Sequence, residues 1–338
     1  MKTFFIAPYL LISALLVGCA SAPEAPARPE WIDGVSSHYP TRLYLTGSGS
    51  ARNLYDAKNL ARADLSKSIQ VSIEEKSHDL LSFERRTEGD ETSSRLDEKV
   101  FRSLITRTSR SIEGIEIVDS YFDDQAGQYY ALAVLSKQRA RYQFSDKILQ
   151  LDEATRRVID EANRKGNPLH RAYAAQQAID YQLQRAVQQA SLRVVDPSGR
   201  GIAPRWSLAQ LQEELNTLLG DIHIAPVYGG HTTADVEKMT SAALSQAGFS
   251  VTGPDRADYI LKLEIDLDKP IADKGWQWLR GNLKIELRNS SDKVIGVKQW
   301  PIKAASTTLE RARARFNEEI NTTLQSQLRQ VLLSFGKS

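Results

Sequence analysis

The chain has 338 residues, 41% of them hydrophobic and 25% charged, with a formal net charge of +2. That balance is ordinary for a globular protein of about two domains. It removes the electrostatic case for a nucleic-acid partner, which needs a basic patch or stripe. Cys19 is the only cysteine, so an internal disulfide framework is excluded and the fold has to hold by core packing.

The N-terminus carries Lys2 and then an apolar run from Phe4 to Val17. The run is shorter than the roughly 20 apolar residues a bilayer span needs and has the length of a signal-peptide core. It ends in Leu16-Val17-Gly18-Cys19, which resembles the lipobox of bacterial lipoproteins. The expectation is cleavage between Gly18 and Cys19 and lipidation of the Cys19 thiol. Two or more acyl chains anchor a protein stably where one does not. Ala20 and Ser21 follow, without the Asp that commonly signals inner-membrane retention. The chain is therefore expected in the inner leaflet of the outer membrane, facing the periplasm. Residues 19–30, with Pro23, Pro26 and Pro29, read as a lipidated tether. At about 3.1 Å per residue it reaches roughly 34 Å from the bilayer.

Residues 31–140 read as one α/β unit. Leu43 to Thr46 form a short strand, and Gly47-Ser48-Gly49-Ser50-Ala51 turns it into a helix. That helix carries Leu54, Ala57, Ala61, Leu65 and Ile69 at helical spacing. A strand is expected near Ile69 to Ile73. A charged, mobile excursion is expected over Glu84 to Asp97, and a second helix over Leu96 to Arg107. Ile115 to Phe122 and Gln128 to Leu135 make a hairpin around Asp123 to Gly127. Residues 141–195 turn purely helical. Asn167-Pro168 reads as an N-cap followed by Pro at the first helical position, which divides the stretch into an αα-hairpin.

Pro197 to Gly201 is a turn-rich break into a second unit, residues 196–338. It reads as a helix over Leu208 to Leu219, a strand from Ile222, a helix near Thr233 to Ala247 and three strands. These strands are Tyr259 to Leu267, Trp276 to Leu287 and Lys293 to Ile302. The last helix opens on Thr307-Thr308-Leu309-Glu310, a capping box. It carries Phe316, Ile320, Leu324, Leu328 and Val331 as its apolar stripe. The fold class expected is α+β: two small α/β sandwich-type domains joined by a helical hairpin, after the signal peptide (1–18) and tether.

Several short motifs stand in a recognisable order. They are Pro29-Glu30-Trp31, Tyr44 with Gly47 to Ala51, the helix with Ala57, Ala61 and Ala63, then Gly114 to Val118 and Tyr129 to Leu135. In this third of the chain they resemble the twenty-kilodalton outer-membrane lipoprotein domain, which is also similar to part of the flagellar assembly protein T. That family brings no catalytic residues to carry over. The second unit, with Ala257-Asp258-Tyr259-Ile260-Leu261, resembles by pattern the periplasmic domain of penicillin-binding-protein activator and curli secretion lipoproteins.

Sites for chemistry are sparse. Arg52 replaces the third glycine of a dinucleotide fingerprint begun at Gly47, and no Gly-x-Ser-x-Gly elbow occurs. His38, His78, His170, His223 and His231 lack metal-ligand spacing. Glu264, Asp266 and Asp268 share a strand face that reads as solvated. No catalytic residue, metal or cofactor is expected beyond the lipid on Cys19. The primary expectation is a non-enzymatic envelope scaffold or assembly factor that binds a periplasmic or outer-membrane protein. The alternatives are a regulator of a peptidoglycan synthase and a glycan-binding or wall-hydrolytic protein. The candidate contact surface is aromatic. In Trp276 to Leu287, Leu279, Leu283, Ile285 and Leu287 share one face, so Trp276 and Trp278 fall with Arg280 and Lys284 on the other. A three-residue loop after Asn289 places Trp300 with them. The competing expectation is a bulge near Gly275 or Gly281 that turns the indoles inward, or their burial against the helical hairpin.

Overall fold

Apolar residues recur in this chain at two periods, four and two, and each period builds one layer of the structure. A computed structural model describes residues 27–34, 36–85, 102–108, 112–165 and 167–337. The leader, Cys19 and most of the stretch from Glu84 to Asp97 lie outside the described residues.

The first sheet has three antiparallel strands in the order β1-β3-β2: β1 (Tyr44–Ala51), β2 (Glu116–Asp123) and β3 (Gln128–Ser136). Helix α1 (Leu54–Arg85) crosses one face. Its stripe of Ala57, Ala61, Leu65, Ile69 and Ile73 is buried against Ala131, Ala133 and Leu135. The helix sits very close. A Cβ on Gly47 would fall 2.5 Å from the Leu65 amide nitrogen, and one on Gly49 would fall 2.3 Å from that of Ala61. The strand expected at Ile69 to Ile73 does not form. Alternating β-branched residues suggested it, but Val71 is exposed while Ile69 and Ile73 continue the four-residue stripe. Helical burial therefore overrides strand propensity. The opposite sheet face carries a smaller cluster of Leu132, Val134 and Trp31. Trp31 stands on a short 3-10 turn (Glu30–Asp33), and its indole N–H donates to Asp119 at 2.7 Å.

Helices α2 (Lys137–Lys165) and α3 (Pro168–Val195) form the expected hairpin. The Asn167 side chain accepts from the Leu169 N–H at 2.9 Å and Pro168 opens α3. The hairpin belongs to both cores. Val187, Ala190, Leu192 and Val195 complete the first, while Leu169, Ala172, Ala175, Ala178 and Ile179 enter the second. Between them a buried polar group bridges the two helices. The Arg185 guanidinium donates to Asp152 at 3.0 Å and to the carbonyls of Ile202 and Ala203. Gln182 reaches Thr155 at 2.8 Å. Arg185 thus straps the connecting segment onto α3.

The second sheet has six strands. They are β4 (His223–Gly230), β5 (Ser250–Val251), β6 (Tyr259–Leu267), β7 (Ile271–Asp273), β8 (Trp276–Asn289) and β9 (Val294–Ser306). β4 is parallel to β5 and β6, and the other pairings are antiparallel. One face is covered by α3 together with α4 (Leu208–Gly220), α5 (Ala234–Gln246) and α6 (Leu309–Phe335). The α6 stripe of Phe316, Ile320, Leu324, Leu328 and Leu332 is buried. Its cap is Thr308, whose hydroxyl accepts from Arg311 N–H, one residue later than the capping box places it.

Candidate interaction surface

The alternation in β8 holds along its length. Leu279, Leu283, Ile285 and Leu287 are buried beneath the helices, and the even-numbered residues occupy the open face. No register shift occurs at Gly281, which sits opposite Ile302 in a regular ladder. Trp276 and Trp278 therefore stay on the open face, and Trp276 is 45% exposed.

Their setting is a protruding hairpin. β7 folds back on the start of β8, pairing Ile271 with Trp278 and Asp273 with Trp276. The two loop residues, Lys274 and Gly275, have φ of 48° and 81°. Two positive φ values in a two-residue loop match the right-handed twist of the strands. Cross-strand partners share a face, so Ile271, 50% exposed, lies beside the indoles. The Lys303 ammonium sits 4.6 Å from the centre of the Trp278 ring, within cation–π range. Arg280 pairs with Lys303 across the ladder. Two indoles and an isoleucine thus form an apolar patch bordered by cations.

Trp300 does not join this patch. The turn closes as expected, with the Asn289 N–H donating to Lys293 at 3.0 Å. Arg288 still faces Val294, but Leu287 faces Gly296, so Ile295 is bulged. One extra residue flips every later side chain of β9 to the other face. Trp300 consequently lies opposite Leu283, 7% exposed in the core. Its indole N–H donates to Gln327 at 2.8 Å. Gly296 was the available signal: a Cβ there would strike the Phe335 ring of α6.

Farther along the open face the carboxylates are engaged by cations. Glu264 lies 2.7 Å from Lys262 and 3.7 Å from Lys284, and Glu286 pairs with Arg288. The Lys262 ammonium holds the Glu264 carboxyl below its ordinary value. Among the described residues no group of His, Cys, Asp or Glu is placed to hold a metal ion.

The first sheet, α1 and the turn under Trp31 together coincide with a region that is recognisable by sequence. Residues 29–136 match the LPP20 lipoprotein family. The LPP20 match thus spans β1 to β3. It names lipoproteins, in keeping with a lipid-held envelope protein. Solved structures also align with the chain, at low identity. The secreted protein HP1454 from Helicobacter pylori is 15% identical, with 84% of this chain and 97% of that chain covered and a TM-score of 0.45. A minor lipoprotein from Acinetobacter baumannii is 13% identical, over 34% of this chain and 91% of that one, with a TM-score of 0.26. The lipoprotein GNA1162 from Neisseria meningitidis is 14% identical, over 31% and 99%, with a TM-score of 0.22. No curated protein matches the chain. Among the described residues no helix is long and apolar enough to cross a membrane.

Proposed function

We propose that this protein is an outer-membrane-anchored periplasmic scaffold or assembly factor without enzymatic activity, and that it holds another envelope protein through Trp276 and Trp278. The observation that carries this reading is the exposure of the Trp276 indole beside Ile271 and Trp278 on a short hairpin. Tryptophan is enriched among the residues that dominate binding energy, and grouped apolar side chains on a surface mark contact sites. The anchor and the patch sit at different ends of the chain. Helix α3 enters both cores and so ties the two units to each other. Ala20 and Ser21 after Cys19 favour the outer membrane.

The test is cross-linking in intact cells with the Trp276→Ser/Trp278→Ser double variant. The expected result is loss of the cross-linked adduct with stability changed by no more than about 1 kcal/mol, as for surface positions. An adduct that persists in a stable variant would remove the patch from the proposal.

A further inference from the structure

We propose that a second site, a pocket in the LPP20-matching region, holds one uncharged sugar ring of a glycan. It lies between the turn under Trp31, the outer face of β1 and α1. It is lined by Trp31, Tyr39, Thr41, Thr46, Ser48 and Asp64, and its volume is about 190 Å³. At roughly 30 Å³ per molecule it has room for about six waters, enough for one ring and too little for a folded peptide.

The lining is organised before any ligand arrives. Gly34, with φ of 88°, ends the turn and lets the chain double back over β1. Trp31 is fixed by its bond to Asp119. Ser48 and Thr46 stand opposite Leu132 and Val134, so their hydroxyls share the face on which Trp31 packs. One carboxylate oxygen of Asp64 accepts the Ser48 N–H at 3.1 Å, which orients the side chain and leaves its second oxygen for another donor. Among the described residues Asp64 forms no ion pair.

The ligand class follows from what these groups can bond. Hydroxyls donate and accept, and a carboxylate accepts only. A ring bearing several O–H groups satisfies both, and aromatic side chains suit its C–H face. Among the described residues no Lys, Arg or His lines the pocket, so there a phosphate or a sugar acid would meet Asp64 with nothing to neutralise it. A cationic amine would find one carboxylate open to water, an interaction worth little. An N-acetylhexosamine ring meets every condition.

The test uses the full-length lipidated protein in a zwitterionic, sugar-free detergent, with the N-acetylglucosamine trimer as probe and saturation-transfer NMR as readout. Transfer to the ring and acetyl protons is expected. Asp64→Asn keeps an acceptor for Ser48, and Thr46→Val keeps the shape. Each should weaken binding by about tenfold, a difference of about 1.4 kcal/mol, with melting unchanged. The Trp276→Ser/Trp278→Ser protein should bind the trimer like the parent, which separates this site from the scaffold contact. Absence of transfer, binding by both pocket variants as tight as the parent's, or displacement of the trimer by lysine amide would each overturn the proposal.

Discussion

Trp300 stands directly across the β8–β9 ladder from Leu283, on the helix-covered face of the second sheet. Its indole fills core space and bonds Gln327 of α6, so Trp300→Ala should cost about 3–5 kcal/mol in urea unfolding, as for emptied aromatic core sites. Trp276→Ala, on the opposite face of the same sheet, should cost no more than about 1 kcal/mol. Equal losses at the two positions would contradict the bulge at Ile295.

The Arg185–Asp152 pair is the most deeply buried ion pair described, with side chains 3% and 6% exposed. Arg185→Met should cost about 3–5 kcal/mol, because it strands the Asp152 carboxylate in the protein interior. It also frees the carbonyls of Ile202 and Ala203. Adding Asp152→Leu should recover much of that loss, since two apolar side chains replace a buried pair at little net cost. Chemical denaturation of the single and double variants measures both effects.

Acid should loosen the same connecting segment. The Ser198 hydroxyl, followed by the N–H groups of Gly201 and Ser198, holds the Asp196 carboxyl below its ordinary value. Its folded-state pKa is depressed. The stability it contributes is therefore fully present above the unfolded value of about 3.9 and is lost as pH falls through the folded one. Asp196→Asn should lower stability at neutral pH and leave it nearly unchanged in strong acid. A pH series of melting curves that runs parallel for the two proteins would refute the assignment.

Lipidation is tested by labelling. Cys19→Ala should abolish incorporation of labelled palmitate and leave the precursor uncleaved. Ala20→Asp should shift the protein toward inner-membrane fractions in a density gradient. Incorporation of label by the Cys19→Ala chain would refute the lipobox.

Much of the architecture could be read from the amino acids because its signals are local. Asn167-Pro168 announces a helix start, Asp123 to Gly127 a hairpin, and the alternation from Leu279 to Leu287 a two-faced strand. The misread elements depend on tertiary partners. Ile69, Val71 and Ile73 alternate like a strand until β3 and α3 bury the first and third of them on a helix. Trp300 obeys parity counted from the turn, and the loop length was right. The extra residue at Ile295 is set by Phe335 of α6 packing onto Gly296, forty residues away in sequence. The exposed pair Trp276 and Trp278 was legible because no such irregularity interrupts β8. The pocket beside Asp64 was not, since its walls come from three segments that only the tertiary packing brings together.

Helix α3 has a consequence for the order in which the chain becomes self-sufficient. Val187 to Val195 close the first core, yet the preceding turns of the same helix, Leu169 to Ile179, wait for strands and helices extending to Phe335. A polypeptide threaded N-terminus first into a compartment must therefore carry a half-clad helix until its last segment arrives. A fragment ending at Ser136, where the family match stops, would lack the residues that seal its own interior. The two halves are interlocked rather than strung in series, and genetic dissection at that boundary should yield insoluble pieces instead of modules.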